Sequence, residues 1–286
     1  MNVLITGGGG QLASELVRAA PADVRVTVLS RAQLDISDEA AVQDAAAAAG
    51  PQLIVNAAAY TAVDRAETDS DAAFAVNRDG AGNLARAAAA VGARMVHVST
   101  DFVFDGRSAV PYLPTAATHP LGVYGASKLA GEVAVLAAAP DALIVRTAWV
   151  YAPAGKNFVT TMLRLMRERP EVRVVADQVG TPTSAATLAE ALWRLADKRV
   201  SGLLHFTDAG VASWYDFAQA IAEEAHAGGL LPVLPRITPI RTEDYPTPAA
   251  RPAYSVLDKS ATWQALERGG VHWRTALRQA LAMMPI

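Results

Sequence analysis

Five short apolar runs in the first half of the chain constrain its fold most: "NVLIT" (2–6), "VRVTVL" (24–29), "QLIVN" (52–56), "RMVHVS" (94–99) and "ALIVRT" (142–147). Taken together they show no sustained alternation, which predicts strands buried on both faces. Between them lie helical stretches at about 11–20, 38–49, 71–91 and 125–138, rich in alanine, the best helix former. Strand and helix in strict succession require parallel pairing through right-handed crossovers, hence a Rossmann-type doubly wound α/β sheet. After about residue 150 the rhythm breaks. An amphipathic helix (157–169), a strand (172–176), a helix capped by Thr or Ser (183–198) and a strand (202–207) lead into a Pro-rich passage (230–255) and two terminal helices. The expected organisation is a dinucleotide-binding domain over 1–152 and a smaller mixed α/β substrate domain over 153–286, some segments of which return to the sheet.

The first strand runs into "TGGGGQLASEL" (6–16), a glycine loop opening a helix. Backbone N–H groups in such a loop can meet a pyrophosphate at the positive end of the helix. Two frames fit equally, Gly8-x-Gly10-x-x-Ala13 and Gly7-x-x-Gly10-x-x-Ala13. The second strand ends in Leu29-Ser30-Arg31, where an NAD site usually carries an acid. A serine and a guanidinium suit a 2′-phosphate, favouring NADPH, with NADH as the alternative. Arg31 also has a plainer reading as a solvated surface residue. Asp35 and Ile36 are further candidates at the adenine edge.

Ligands of a doubly wound sheet collect beyond the carboxyl ends of its strands. The third strand ends in three alanines and Tyr60, the fourth delivers Ser99 and Thr100, and the fifth leads to Trp149. Into the same edge runs "GVYGASKLAGE" (122–132), which sets Tyr124 and Lys128 four residues apart on one helical face. A phenol with a reference pKa of about 10 is a poor acid at neutral pH, and an ammonium one turn away is expected to lower that value. The pair is a candidate proton-transfer device.

Net charge −3 with scattered signs leaves no basic stripe for nucleic acid or a membrane surface. The chain has no cysteine, which rules out thiolate metal sites, disulfides and a cysteine nucleophile. "MNVLITGGGG" does not read as a signal peptide and no apolar run reaches the length of a membrane span, so the expected location is the cytoplasm. The five histidines lack ligand spacing, so no metal site is expected; His97 reads as a core histidine or one supporting the site from behind. Trp193, Trp214, Trp263 and Trp273 are expected to pack in the smaller domain.

The glycine loop, the Ser/Thr after the fourth strand and Tyr-x-x-x-Lys together resemble the extended short-chain dehydrogenase/reductase family. Within it, "VNAAAYTAVDRAE", "HVSTDFVFDG", "VYGASKLAGE", "VRTAWVYA", "DQVGTPT" and "RPAYSVLD" are similar, in order, to segments of the dTDP-4-dehydrorhamnose reductases. That resemblance implies NADPH-dependent reduction at C4 of dTDP-4-dehydro-6-deoxy-L-mannose to dTDP-L-rhamnose. Tyr124 would be the proton donor, Lys128 its electrostatic partner and a ribose ligand, and Thr100 a holder of the sugar carbonyl. Gly7, Gly10, Gln11, Leu12, Arg31, Asp35, Ile36, Ala59, Tyr60, Thr61 and Val98 would line the cofactor. Thr100, Asp101, Tyr124 and Trp149 would form the sugar pocket, with Asn157 and Arg251 at the diphosphate or thymidine. Some relatives bridge subunits through glutamate-bound Mg²⁺; Ala186 stands where one such glutamate is expected, which argues against the metal and leaves a monomer or homodimer. Related epimerases and dehydratases share the scaffold, but dehydratases place Asp-Glu after the threonine where this chain has Asp101-Phe102. A non-catalytic regulatory subunit of the methionine adenosyltransferase type is the reading from another class.

Overall fold

The computed structural model describes residues 1–284. Its first half alternates as expected: β1 (Asn2–Gly8), α1 (Gln11–Arg18), β2 (Arg25–Ser30), α2 (Glu39–Ala49), β3 (Leu53–Asn56) and a short α3 (Val63–Ala66). A helical rod follows, made of α4 (Ser70–Phe74), a π-helical turn (Ala75–Gly80) and α5 (Ala81–Ala90). Then come β4 (Arg94–Thr100), α6 (Val123–Ala138) and β5 (Leu143–Thr147). The second half contributes β6 (Val150–Tyr151), α7 (Phe158–Glu168), β7 (Glu171–Val175), β8 (Val179–Gly180), β9 (Thr183–Ser184) and α8 (Ala185–Asp197). Last are β10 (Gly202–His205), β11 (Ala212–Ser213), α9 (Trp214–Ala227), β12 (Arg236–Ile240), α10 (Ser260–Leu266) and α11 (Trp273–Ala282).

Six strands form one sheet in the order β10-β5-β4-β3-β1-β2, every pair parallel. The chain leaves β1 toward β2 and returns on the other side at β3, so the strand order reverses between β1 and β3 and opens a crevice there. Leu53–Asn56 and Leu143–Thr147 are buried throughout. The edge strand β2 differs from expectation: its sequence alternates, and it is half-exposed because one neighbour is missing and solvent reaches one side.

Two apolar layers sandwich the sheet. Leu16 of α1 packs with Leu188, Leu192 and Leu195 of α8 on one face, and Val42, Leu84 and Val135 of α2, α5 and α6 pack on the other. Trp193 belongs to the first layer, not to the smaller unit: its indole N–H donates to the Leu16 carbonyl at 2.9 Å and fastens α8 to α1. A separate core joins α7, α9 and α11 to β7 and β12, with Trp273 buried in it and Trp214 packed against it. The partner of β7 is β12, a parallel strand inside the Pro-rich passage where no strand was expected. Pro239 is tolerated because the pair is two-stranded and every strand in it is an edge.

Candidate active site

The turn between β1 and α1 satisfies both glycine frames. Gly7 has φ +85°, and a Cβ there would stand 2.7 Å from the Ala57 backbone, so only glycine fits. A Cβ at Gly8 would stand 2.9 Å from the Ser30 backbone nitrogen, Gly10 is the N-cap of α1, and Ala13 is buried where the helix meets the sheet. The α1 N-terminus has no side-chain cap, whereas Asp38, Asn157, Ser184, Ser213 and His272 cap α2, α7, α8, α9 and α11. Free N–H groups and the positive helix end suit a pyrophosphate. From this turn a cleft of about 490 Å³ runs along the strand ends. Each cofactor residue expected from the sequence lines it: Gly7, Gly10, Gln11 and Leu12 at the loop, Arg31, Asp35 and Ile36 beyond β2, and Ala59, Tyr60, Thr61 and Val98 beyond β3 and β4. Hydrogen bonds from Ser37 hold the Asp35 carboxyl below its ordinary value, with Arg31 adding to the effect.

At the other end of the cleft Thr100, Asp101, Tyr124, Lys128 and Trp149 converge. Thr100 ends β4 and caps a short 3₁₀ turn (Asp101–Val103), its hydroxyl accepting from the Phe102 N–H at 3.2 Å. Tyr124 stands in the first turn of α6, edge-on to the Phe102 ring. Lys128 is 2% exposed, and its ammonium donates to the Val98 carbonyl at 2.7 Å. Burial pushes the Tyr124 phenol up to about 12, with Thr100 pulling it down and the Asp101 charge pushing it up. The expected lowering by Lys128 is therefore not realised: loss of solvation outweighs an ammonium aimed at Val98. Burial also holds Lys128 down to about 8 and raises the Asp101 carboxyl to about 6, the latter offset in part by the nearby Ser255 and Thr100 hydroxyls. Thr100 Oγ1 donates to Asp101 Oδ1 at 3.1 Å, while Asp101 Oδ2 and the Thr147 hydroxyl have no hydrogen-bond partner among the described residues. Such buried polar atoms at a cleft are ready for a polar ligand.

Trp149 takes φ +49°, a strained value for a bulky residue. Its ring stacks on Trp214 with centroids 3.5 Å apart and planes 7° from parallel. Trp214 also lines a second cleft of about 750 Å³, with Phe158, Arg173, Gln178, Tyr245 and Arg251. There Arg251 is held in a bidentate pair with Asp64, both contacts at 2.9 Å. Asn157 lines neither cleft. Its Oδ1 caps α7 through the Thr160 N–H, and its amide donates to Gln11 Oε1 and the Ala152 carbonyl, both at 2.9 Å, so it ties the phosphate loop to the second half.

Sequence reading overlooked the residues that hold this geometry. Asn77, in the π turn, accepts from the Tyr60 N–H at 2.8 Å and donates to the Tyr60 carbonyl and the Ser127 hydroxyl. It thereby joins the cofactor wall to the helix of Tyr124. Asn56 links β1 to β4 through Thr6 and His97, and His97, neutral by burial, serves as a core partner. Among the described residues no three His, Cys, Asp or Glu side chains converge as a metal site.

An uncapped glycine turn facing a hydroxyl, phenol and ammonium at the ends of a doubly wound sheet defines a dinucleotide-dependent carbonyl reductase or dehydrogenase. Residues 1–285 match the family described as RmlD substrate binding domain. The chain is 46% identical to the dTDP-4-dehydrorhamnose reductase of Mycobacterium tuberculosis (98% of this chain, 92% of the relative) and 44% identical to that of Burkholderia thailandensis (97% of each). The crystal structure of the Bacillus anthracis dTDP-4-dehydrorhamnose reductase in complex with NADP superposes with a TM-score of 0.93 at 36% identity, over 98% of each chain. The chain belongs to the dTDP-4-dehydrorhamnose reductase family.

Proposed function

We propose that this chain reduces the C4 ketone of dTDP-4-dehydro-6-deoxy-L-mannose to dTDP-L-rhamnose with NADPH, the last step in making that activated sugar. The observation that carries the reading is the convergence of Tyr124, Thr100 and Lys128 at one end of the cleft whose other end is the uncapped phosphate turn. When bound, NADPH supplies the hydride that adds to C4. Tyr124 hands its proton to the oxygen that becomes alkoxide, and a pKa near 12 keeps that proton in place until it is needed. Thr100 donates a hydrogen bond to the same oxygen, and the Lys128 ammonium stabilises the phenolate left behind. Asp101 and the free Thr147 hydroxyl meet the sugar hydroxyls, and Trp149 covers the ring.

The nucleotide end of the substrate is assigned to the second cleft, which shares the Trp149–Trp214 stack with the first. Phe158 and Trp214 offer faces for thymine, and Arg173 and Arg251 offer cations for the diphosphate. Asn157 serves at one remove, by fixing Gln11. On this reading residues 1–152 chiefly bind the cofactor and 153–286 chiefly bind the substrate, and the enzyme works in the cytoplasm as a monomer or homodimer.

The test is stoichiometric. One NADPH should be oxidised per dTDP-ketosugar converted, with dTDP-rhamnose as product. NADH and the UDP-linked analogue, run alongside, measure selectivity. Catalytic rather than stoichiometric use of the nucleotide would point instead to an epimerase.

A further inference from the structure

Behind the Tyr124–Lys128 face lies a buried charged cluster that the reduction does not touch. Glu132 stands on α6 one turn beyond Lys128 and two beyond Tyr124. Three donors converge on its carboxylate: Arg146 Nε at 2.9 Å, Arg146 Nη2 at 2.7 Å and the Ser99 hydroxyl. Both charged side chains are about 95% buried, with 4% and 5% exposed. The Arg146 guanidinium also lies over the Phe104 ring. Ser99 directly precedes Thr100 at the end of β4, and Arg146 directly precedes Thr147 at the end of β5. One carboxylate thus pins two strand ends to the catalytic helix, next to the residues that face the cleft.

Stability alone does not account for such a pair. Desolvating two ions costs so much that an apolar pair of similar volume often serves a fold as well. We infer that Glu132 is a positioning residue for the reduction: its carboxylate sets the ends of β4 and β5 against α6 and stands, with opposite charge, one helical turn from the Lys128 ammonium. The inference rests on Tyr124 and Lys128 acting as proposed.

The groups facing Lys128 are few. Tyr124 and Glu132 share its helix, His97 on β4 is neutral by burial, Asp101 follows β4, and Arg146 on β5 is taken up by Glu132. From the rod, Asn77 is uncharged, and Arg78 and Asp79 pair with each other at the surface. Burial lowers Lys128 to about 8 while the Glu132 charge pushes the other way, so removing that charge takes the ammonium below its working range sooner.

The experiment follows kcat and the NADPH Kd of wild type and Glu132→Gln from pH 6 to 10, with thermal melts to verify folding. Wild type should lose activity and NADPH affinity as pH rises through about 8. In E132Q both limbs should move by a pH unit or more toward acid, leaving kcat within a few-fold of wild type at pH 6 and at least about fivefold lower at pH 8. A folded E132Q whose limbs coincide with wild type, or whose loss is equal at every pH, overturns the inference. Should E132Q fail to fold, the double variant E132Q/R146M buries no lone charge and should show limbs displaced in the same direction but by less, because the guanidinium goes with the carboxylate it opposes; limbs coinciding with wild type in a folded double variant overturn the inference. Failure of wild type to reduce the ketosugar would sink the proposed reaction instead, and the pH dependence of NADPH binding would still test Glu132.

Discussion

At Asp101 burial disfavours the carboxylate, so the folded chain binds a proton there more tightly than the unfolded chain does. With a folded pKa of about 6 against 3.8, the stability this group contributes is present below about pH 4 and lost as pH rises through 6. Asp101→Asn is neutral throughout, so it should melt several degrees above wild type at pH 8, worth about 2–3 kcal/mol, and gain nothing at pH 4. Equal gains at both pH values would contradict the assigned burial cost. The same variant should lose activity, because Asp101 lines the cleft and is assigned to the sugar hydroxyls. At the far end, Arg31→Ala should weaken NADPH about tenfold and leave NADH nearly unaffected, as measured by fluorescence titration, if the guanidinium takes the 2′-phosphate. Tyr124, Lys128 and the glycines were legible because a fixed spacing imposes their geometry. Asn77 and Glu132 were not, since their roles depend on which strand ends fold back on them.

The contact between α6 and the helical rod rests on one missing side chain. A Cβ at Gly131 would stand 2.1 Å from the Asn77 carbonyl oxygen, which is backbone and cannot swing away. Gly131→Ala should therefore cost at least about 1–3 kcal/mol, read by chemical denaturation. It should also weaken NADPH binding, because Asn77 holds the backbone of Tyr60. Unchanged binding in a destabilised variant would show that the rod does not shape the cofactor wall. The rod itself was read as one α-helix over 71–91, and its ends lie close to that. The π turn left no sign in an alanine-rich stretch, where hydrophobic spacing cannot register an added residue; such turns gather at functional sites. The strand β12 was hidden for the opposite reason, since prolines at 232, 235 and 239 read as irregular chain.

For the molecule as a whole, the cleft runs from the phosphate turn to the Trp149–Trp214 stack, so cofactor binding should stabilise the entire sheet. NADPH at 100 times its Kd should add about 2.7 kcal/mol, raising Tm by roughly 5–10 °C, and NADH at the same concentration should raise it less in wild type but equally in Arg31→Ala. The central sheet was readable from sequence because strands such as β3 and β5, buried on both faces, need helices above and below. The return of α8 and β10 to that sheet was less so, because amphipathicity says that a helix has a buried face but not which surface covers it. Protonation of the reduced sugar ketone by Tyr124 is read out by turnover of Tyr124→Phe with saturating NADPH and the dTDP-ketosugar. Its kcat should fall by about 10²–10⁴-fold while the NADPH Kd stays close to wild type; a Tyr124→Phe enzyme that turns over like wild type would exclude the phenol as proton donor.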